Sequence, residues 1–573
     1  MEKRVLLAVV LSFIVLYGYQ VLFVPPKPAQ QPQTAPQTSK AVPPAAESPS
    51  SQSAVSTPKP EAAEPVLSDT AERDVIFESD AVRAVFSTRG GVLKSWQLKK
   101  YFDAGGRPLE IIPQHVPDGT PKPFTLTVAD ADVSATLGSA LYKPGATEVH
   151  PQPNGAATVV FDYKDASGLA ARKEFEFPAS QPYVFLFSAT VSRGDAIVPD
   201  VEFGPALGTG IVASGGGTYN PPPQPIFYRD GKVTRVSATK IQDNAVQDGV
   251  FGFAGADDHY FLSATVAGGQ PLQVRYRPLV VPGPTPEQTA HFVDWSVRYS
   301  ASPAKTRFFL GPKDFDVLAA VDRDLVRAID FGMFAWIVVP LLRALKWVNV
   351  YVGNYGWSII ILTVLINLAM FPLRHKSVVS MRRMQEIQPE VKAIQDRYAK
   401  LSMTDPARQK MNVELMNLYR ERGVNPASGC VPMLLTLPVL FAFYSMLSVA
   451  IELRGAPFVG WIKDLSVHDP LYITPIVMGI TQFVQTKMTP TTADPMQQRM
   501  MLFMPLIMMT MFVWAPSGLV LYWTVSNIWA IGQQAFTNRL IGRSQKRTAR
   551  PPAERRVKSV GGGKSEGAAK ERK

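Results

Sequence analysis

The chain has little of what most catalytic and cofactor-binding proteins use. Its 573 residues include one cysteine, Cys430, which excludes an intramolecular disulfide, an iron–sulfur cluster and a zinc site built from cysteines. The six histidines form no HExxH pair, and no GxxxxGK[ST] phosphate loop is present. Charged residues make up 18% of the chain, against about 25% in a typical soluble protein. The sequence therefore predicts neither an enzyme nor a bound cofactor or metal.

Long apolar runs account for the low share of charged residues. One run, residues 5–24, follows Lys3 and Arg4 and has the roughly 20 residues that cross a bilayer. Five more follow towards the C-terminus, at 355–373, 428–451, 471–488, 500–515 and 519–536. We therefore expect a polytopic α-helical membrane protein with six spans. None of the spans carries Asp, Glu, Lys or His well inside it, so the proton relays and ion pairs of pumps have no candidates.

The net charge of +12 is confined to short segments beside these runs. The body from 25 to 355 is slightly acidic, whereas 374–425 carries +5 and the end of the chain from 537 carries +9. Because Lys and Arg in short loops stay on the cytoplasmic side, the N-terminus, the 374–425 segment and the C-terminus are predicted to be cytoplasmic. The charge therefore indicates topology, and DNA binding is not predicted.

The part before the five runs divides into four segments. Residues 1–24 are predicted to be an uncleaved transmembrane anchor, and 25–71 to be a tether rich in Pro and Ala. Residues 72–312 alternate apolar and polar side chains, as at Val293, Trp295 and Val297, which predicts an all-β sandwich on the exported side. Residues 313–350 return to helical spacing and are predicted to form an amphipathic helix in the membrane interface; the alternative is a core helix of the sandwich domain.

The last part, 351–540, is predicted to be a five-span core, followed by a basic cytoplasmic tail at 541–573. Within the core, residues 374–425 show two stretches of helical spacing and are predicted to form a cytoplasmic helical hairpin. Its basic side chains include Arg382, Arg383 and Arg397. These form a solvated face, contact anionic lipid, or receive an acidic or RNA-bearing partner.

Polar residues recur at helical spacing within the spans, where they need partners or water. Thr363 and Asn367 are four residues apart, and Trp523 and Asn527 share a second face beside Tyr522. Thr436 belongs to the same set. Hydrogen bonds between helices explain any single residue of this kind. Several such faces on different spans predict a hydrated groove lined by these side chains.

Several spaced motifs resemble those of the YidC/Oxa family of membrane protein insertases. They are Asn425-Pro426-Ala427-Ser428-Gly429-Cys430-Val431-Pro432, Trp461-Ile462-Lys463-Asp464-Leu465, Asp469-Pro470-Leu471-Tyr472-Ile473, Lys487-Met488-Thr489-Pro490, Asp494-Pro495-Met496-Gln497-Gln498 and Pro516-Ser517-Gly518-Leu519-Val520-Leu521-Tyr522-Trp523. The match covers about 355–540, and the anchor, tether and sandwich are similar in layout to the Gram-negative members with a large periplasmic domain.

The resemblance implies a fold and a function. Five spans surround a hydrophilic groove that receives the polar part of a nascent chain while its apolar segment enters the bilayer. Thr363 and Tyr522 match groove residues of the family, whereas the usual intramembrane arginine falls at Asn367. The groove cation is therefore expected to be absent at that position, and Arg374 is expected at the cytoplasmic end of the span.

The predicted function is that of a membrane protein insertase and folding chaperone of the inner membrane, with the large domain in the periplasm. Its expected partners are nascent membrane proteins, the ribosome, the Sec translocon and anionic lipids. The alternatives are a small-solute transporter, for which inverted repeats and discontinuous helix pairs are lacking, and a membrane-tethered sugar or peptide receptor acting through the sandwich.

Overall fold

The computed structural model describes residues 64–542, except for 104, 115, 117–118, 152–154, 208–222, 238–239, 242–244, 283–288, 300–304, 399–406, 425–430 and 490–494. The predicted anchor at 1–24, nearly all of the predicted tether and nearly all of the predicted basic tail lie outside the described residues. The chain divides into two compact units. One contains the described residues up to Phe331 together with Val449–Gly455 and the described part of Asp494–Met500, and the other contains the remaining described residues from Gly332 onward.

The first unit is built from short and medium strands. In chain order they are β1 (Pro65–Leu67), β2 (Asp74–Glu78), β3 (Val82–Ser87), β4 (Val92–Phe102), β5 (Pro108–Glu110), β6 (Lys143–Pro144), β7 (Glu148–Val149), β8 (Ala157–Asp165), β9 (Leu169–Phe177), β10 (Val184–Arg193), β11 (Ala196–Ile197), β12 (Phe203–Leu207), β13 (Gln224–Arg229), β14 (Lys232–Arg235), β15 (Val246–Val250), β16 (Phe253–Asp257), β17 (Phe261–Val266), β18 (Pro271–Pro282), β19 (Thr289–Tyr299) and β20 (Thr306–Pro312). A short helix, α1 (Ala131–Ser139), lies between β5 and β6.

Within the described residues these strands form three sheets. The largest has the order β1-β8-β9-β10-β20-β17-β16-β13-β14, with β6 on β8 and β11 on β10. A four-stranded sheet has the order β12-β19-β18-β15, and a five-stranded sheet has the order β5-β4-β3-β2-β7. Neighbouring strands are antiparallel, but β2 and β7 are parallel. This arrangement confirms the predicted β-sandwich.

Aromatic side chains fill the space between the sheets. Phe77 of the five-stranded sheet stacks on Phe177 of the large sheet with ring centroids 3.8 Å apart, and Trp96 packs on Phe185. Trp295 of the four-stranded sheet packs on Phe308 of the large sheet. Because alternate residues of a strand face the same side, the period of two in the sequence places these rings in the core.

A lysine is also part of this core. Lys173 on β9 is fully buried and donates from Nζ to the carbonyl oxygens of Gly90 at 2.6 Å, Phe124 at 2.8 Å and Gly91 at 3.3 Å. Burial lowers the pKa of Lys173 to about 7. The three carbonyl acceptors match the three N–H donors of an ammonium group, so this side chain links β9 to two other segments of the sandwich.

Two predicted boundaries need correction. The tether was predicted to extend to residue 71, but Pro65–Leu67 forms β1 and pairs with β8, so the sheet begins inside that segment. The single amphipathic helix predicted over 313–350 is interrupted: α2 (Phe315–Val321) is followed by 3-10 turns at Leu325–Ala328 and Gly332–Phe334 and then by α3 (Ala335–Val352). Asp322, with extended backbone angles, ends α2.

The second unit is helical. After α3 its helices are α4 (Tyr355–Glu386), α5 (Gln388–Arg397), α6 (Ala407–Glu421), α7 (Val431–Val449), α8 (Ile473–Met488), α9 (Pro495–Phe512) and α10 (Ser517–Gly542). The five apolar runs fall in α4, α7, α8, α9 and α10. Among the described residues, Gly332–Val352 and Tyr355–Glu386 are long and apolar enough to cross a membrane, and the count of six spans remains a prediction.

The buried stripe of α3 carries Val338, Leu342, Leu345 and Val348, whereas Trp336 and Trp347 are exposed. This pattern is the one predicted for an interfacial helix, and its position in the interface stays a prediction. Gly353, in the left-handed conformation, ends α3. Asn354 then caps α4 by accepting from the backbone N–H groups of Gly356 and Trp357, so two residues separate the helices.

Helix α4 continues well past the apolar run that predicted it. It contains Pro372, which lacks the N–H for one hydrogen bond of the helix. It ends at Glu386, and one residue, Ile387, separates it from α5. The hairpin is therefore formed by the end of α4, by α5 and by α6. Its small core contains Ile387, Val391 and Val424, with Leu415 and Tyr419 packed against it.

Candidate functional site

Three polar side chains form a continuous hydrogen-bonded row along α4. The Thr363 hydroxyl donates to the Ile359 carbonyl oxygen at 2.6 Å. The Asn367 amide donates to the Thr363 carbonyl oxygen at 2.8 Å, and its Oδ1 accepts from Nη1 of Arg374 at 2.6 Å. Thr363 is 0% exposed and Asn367 is 3% exposed. We call Thr363, Asn367 and Arg374 the polar row.

The position of Arg374 corrects one expectation. The sequence places its backbone at the cytoplasmic end of the span, but its guanidinium extends back along α4 to Asn367. Seven residues are almost two helical turns, so both side chains lie on one face of the helix. The positive charge that the sequence analysis found missing at residue 367 is therefore present beside it, supplied from residue 374.

Tyr522 of α10 belongs to the same region. Its phenol lies near the Arg374 guanidinium, and its ring stacks on Phe443 of α7 with centroids 4.4 Å apart and planes inclined by 10°. Tyr522 is 8% exposed. The polar row and this phenol thus bring together α4, α7 and α10.

The other two predicted residues of α10 face α8 instead. Trp523 donates from its indole nitrogen to Oε1 of Gln482 at 3.0 Å. Asn527 donates to the Thr481 hydroxyl at 3.3 Å and to the Met478 carbonyl oxygen at 3.4 Å. These bonds join α8 to α10, which is the role of interhelical hydrogen bonding that the sequence analysis kept open. Thr436 lies on α7, and its side chain is outside the described residues.

Polar contacts also join α4 and α10 nearer the hairpin. Nδ1 of His375 lies 3.2 Å from the Thr537 hydroxyl, and Arg382 donates to Oδ1 of Asn538. Arg397 forms an ion pair with Glu414 at 3.2 Å across the hairpin, whereas Arg383 is exposed. Of the three predicted hairpin arginines, Arg382 and Arg397 therefore have partners within the chain.

At the opposite end of these helices, the segment between α7 and α8 is held by one buried carboxylate. Asp469, 1% exposed, accepts from the Trp461 indole at 2.9 Å, the Leu471 N–H at 2.9 Å and the Thr474 N–H at 2.8 Å. Burial acts to raise the pKa of the Asp469 carboxyl, but the hydrogen bonds from Thr474, Leu471 and Trp461 outweigh it, so the pKa is lowered.

The same segment is attached to two other helices. Its carbonyl oxygens at Val467 and Leu465 accept from the backbone N–H groups of Ser517 at 2.7 Å and Gly518 at 2.9 Å, which are the first residues of α10. At the start of α4, Asn354 donates to the carbonyl oxygens of Pro457 and Phe458, each at 3.2 Å. We call residues 456–471 the end loop. It connects the starts of α4, α8 and α10.

Sequence reasoning missed Arg374 and Asp469 as site-forming residues. The signal for Arg374 was its spacing of seven from Asn367, and the signal for Asp469 was its place just before α8, where a carboxylate caps a helix. No group of three or more metal-ligating side chains occurs among the described residues.

Two family models match the chain. The model described as "60Kd inner membrane protein" matches residues 347–545, and the model described as "YidC periplasmic domain" matches residues 74–344. The boundary between the matches falls near the end of α3. Together they cover the sandwich from β2 onward and the described helices that follow it.

Relatives match over almost the whole chain. The "Membrane protein insertase YidC" of Geobacter metallireducens is 36% identical, covering 95% of this chain and 100% of the relative. The protein of the same name from Pelobacter propionicus is also 36% identical, covering 94% and 100%. A solved "Active YidC insertase crystal structure with the first transmembrane domain resolved" has a TM-score of 0.33 and 18% identity, covering 83% of this chain and 95% of that one. On the family models and the relatives, the chain belongs to the YidC family of membrane protein insertases, which are not enzymes.

Proposed function

We infer that this chain inserts nascent integral membrane proteins into the inner membrane. Its family supports this, and the observation that carries the proposal is the polar row beside Tyr522, inside helices that contain no acidic residue within their apolar runs. Polar groups and a cation at such depth cost free energy, and in membrane-spanning segments they commonly mark a functional site. Their use here is to receive the polar backbone and side chains of a substrate that has not yet crossed the bilayer.

The polar row acts as a temporary substitute for water. The groups that α4 and α10 present there include a hydroxyl, an amide, a guanidinium and a phenol, so both donors and acceptors are available to a passing peptide. The substrate's apolar segment needs no such partners and moves into lipid, where burial of each CH₂ is worth about 0.8 kcal/mol. In the described conformation Thr363 and Asn367 are buried, so the substrate enters by parting α4 from its neighbours.

The ends of the core differ in a way that gives insertion a direction. The end loop ties the starts of three helices together, whereas the other end continues into the hairpin, whose segment carries a net charge of +5. We place the hairpin on the cytoplasmic side, where substrate arrives. The exposed Arg383 and the exposed basic residues of α6 are the surface on which we propose that ribosomes or anionic lipid bind.

The proposed function also includes a folding role for new membrane proteins, alone or beside the Sec translocon. Transport of a small solute is not favoured, because the sequence shows neither inverted repeats nor discontinuous helix pairs.

The deciding experiment is insertion by the purified chain alone. Liposomes of phosphatidylethanolamine and phosphatidylglycerol that contain only this protein should protect the exported end of a newly made single-span protein from added protease. Empty liposomes are the control. Equal protection with and without the protein would contradict the proposed function.

Photo-crosslinking should map the path of the substrate. A crosslinking amino acid at Thr363, Asn367 or Tyr522 is expected to capture a ribosome-stalled membrane protein, because these positions face the proposed path. Leu368 on α4 and Ile528 on α10, both about half exposed on the same helices, are the matched controls and should capture several-fold less. Capture at Leu368 and Ile528 as efficient as at the polar row would contradict this path.

A further inference from the structure

The buried Lys173 binds three backbone carbonyl oxygens that belong to residues in the left-handed conformation. Gly90, Gly91 and Phe124 have φ angles of 75°, 55° and 65°. Their carbonyl oxygens accept from Nζ of Lys173 at 2.6, 3.3 and 2.8 Å, respectively. Residues with positive φ are uncommon outside tight turns, so regular strand pairing does not account for three of them around one atom. The lysine is therefore the common partner of two irregular segments of the sandwich.

Phe124 is the strained member of the three. The Thr125 N–H donates to the Lys122 carbonyl oxygen at 3.1 Å, which closes a turn with Pro123 at its second position. A proline followed by a residue with positive φ is a type II turn, whose third position usually requires glycine. A phenylalanine is kept at this position because its ring is packed among core phenylalanines and its carbonyl oxygen is bound by Lys173.

The same turn joins all three sheets of the sandwich. The Pro123 carbonyl oxygen accepts from the Leu93 N–H of β4 at 3.0 Å. The Phe124 N–H donates to the Gly204 carbonyl oxygen, on β12, at 2.7 Å. Lys173 supplies the bond to β9 of the large sheet. A change in the hydrogen bonding of Lys173 therefore acts where the three sheets meet.

Lys173 has no counter-charge. Among the described residues it forms no ion pair, and its hydrogen-bond partners are the three carbonyl oxygens. Burial lowers the pKa of its amine to about 7. An ammonium group has three N–H donors, one for each carbonyl oxygen, whereas a neutral amine has two donors and a lone pair. Loss of the proton therefore leaves one carbonyl oxygen without a donor, and the bond to Gly91, the longest of the three, is the one expected to break.

The titratable groups around Lys173 keep their charge state in the same pH range. The Tyr142 ring centroid lies 5.2 Å from Nζ, and the Tyr163 ring packs on Tyr142. Burial raises the pKa of Tyr142 and raises the pKa of Tyr163 to about 12, so both phenols stay neutral. The charged side chains on the neighbouring segments bond to other groups or are exposed to solvent; they are Asp165, Arg89 and Lys122.

We propose that Lys173 is a proton-sensitive link in the sandwich, whose ammonium form holds residues 88–91 and the Phe124 turn on β9 and whose neutral form releases the Gly91 carbonyl oxygen and loosens 88–91. The unit matches the model of a periplasmic domain, and that compartment follows the pH of the surroundings more closely than the cytoplasm does. The link gives the sandwich a local response to pH that does not depend on the polar row or on the proposed function.

The test is hydrogen exchange of the purified full chain in detergent between pH 6 and pH 9, read by mass spectrometry and corrected for the chemical exchange rate at each pH. Protection of the backbone amides at 86–93 is expected to fall at least five-fold over this range. Amides of β13, which lies several strands from β9 in the same sheet, should keep their protection. Lys173→Met, which cannot titrate, should show the low protection at 86–93 at every pH.

Lys164→Met is the matched control. Lys164 is an exposed lysine on β8, the strand beside β9, so its replacement should leave the response of 86–93 to pH unchanged.

Global stability should change in the opposite direction. Because the pKa of Lys173 is lowered, the unfolded chain binds more protons than the folded chain between pH 7 and the ordinary lysine value of 10.5. The contribution of Lys173 to the free energy of unfolding therefore rises with pH in this range. The thermal midpoint of the unaltered chain should accordingly rise relative to that of Lys173→Met between pH 7 and pH 9, which a purely structural lysine would not produce.

Three outcomes overturn the proposal. The first is equal protection of 86–93 at pH 6 and pH 9 in the unaltered chain, which decides the question even if Lys173→Met does not fold. The second is a loss of protection in Lys173→Met that follows pH as it does in the unaltered chain. The third is a difference in thermal midpoint that stays constant with pH, because Lys173 would then keep one charge state throughout.

Discussion

Replacing the buried Asp469 by alanine is expected to lower the free energy of unfolding of the helical unit by about 3 kcal/mol, since two backbone N–H groups and an indole N–H lose their acceptor. The carboxylate bonds to Trp461, Leu471 and Thr474 at 2.8–2.9 Å. Because its pKa is lowered, its contribution is fully present above the ordinary value of 3.8 and is lost only as the pH falls through the folded value. The measurement therefore belongs at pH 7.

Asp464 provides the matched control on the same end loop. Its carboxylate bonds only locally, to the backbone and hydroxyl of Ser466 at 2.8 and 2.7 Å, so Asp464→Ala should cost less than about 1 kcal/mol. The thermal midpoint of the purified protein in detergent and its level in membranes report both changes. Equal behaviour of the two variants would show that Asp469 does not organise the end loop.

Gly356→Ala is expected to be nearly as damaging, because Phe458 of the end loop lies directly against this glycine. A methyl group there would lie 2.1 Å from Cδ2 and 2.9 Å from Cβ of Phe458, closer than van der Waals contact allows. The Phe458 ring must move away, and Asn354 then loses its hydrogen bonds to the carbonyl oxygens of Pro457 and Phe458. Overpacking of this kind costs about 1–3 kcal/mol.

Gly532 on α10 tests whether any helical glycine would behave in the same way. A methyl group there meets no atom within 4 Å, so Gly532→Ala should be neutral or raise stability by up to about 1 kcal/mol through helix propensity. Protein level in membranes and thermal midpoint distinguish the two variants. A Gly356→Ala protein as stable as the Gly532→Ala protein would mean that Phe458 does not pack on α4 as described.

The periodicity of apolar residues predicted the strands and helices because each of them forms from a local sequence pattern. The alternation at Val293, Trp295 and Val297 places these residues in the core of the sandwich. Continuing the alternation of β9 backwards from Phe175 would put Lys173 on the buried face as well. Lysine side chains are almost never fully buried. The burial of this one is tolerated because three backbone carbonyl oxygens from distant segments accept its hydrogen bonds. Those segments are far apart in sequence, so local reasoning did not find them.

The remaining misses also depend on distant contacts or on side-chain conformation. Pro65–Leu67 looks like tether because its neighbours are Pro and Ala, and it becomes a strand only because β8, about a hundred residues later, offers an open edge. For the site, helical spacing put Thr363 and Asn367 on one face. It says nothing about which way an arginine side chain extends, and that direction determines the depth of its charge.

Because α4 is long, it connects the hairpin directly to the polar row. Its 32 residues form a helix about 48 Å long, whereas the hydrocarbon core of a bilayer is about 30 Å thick. The predicted span and the first arm of the hairpin are therefore one continuous helix. Pro372 lies between Asn367 and Arg374 and is the point where such a helix bends most easily. The hydrogen bond between the side chains of Asn367 and Arg374 therefore restrains bending of α4 at Pro372. Force applied to the hairpin would therefore act first on this hydrogen bond.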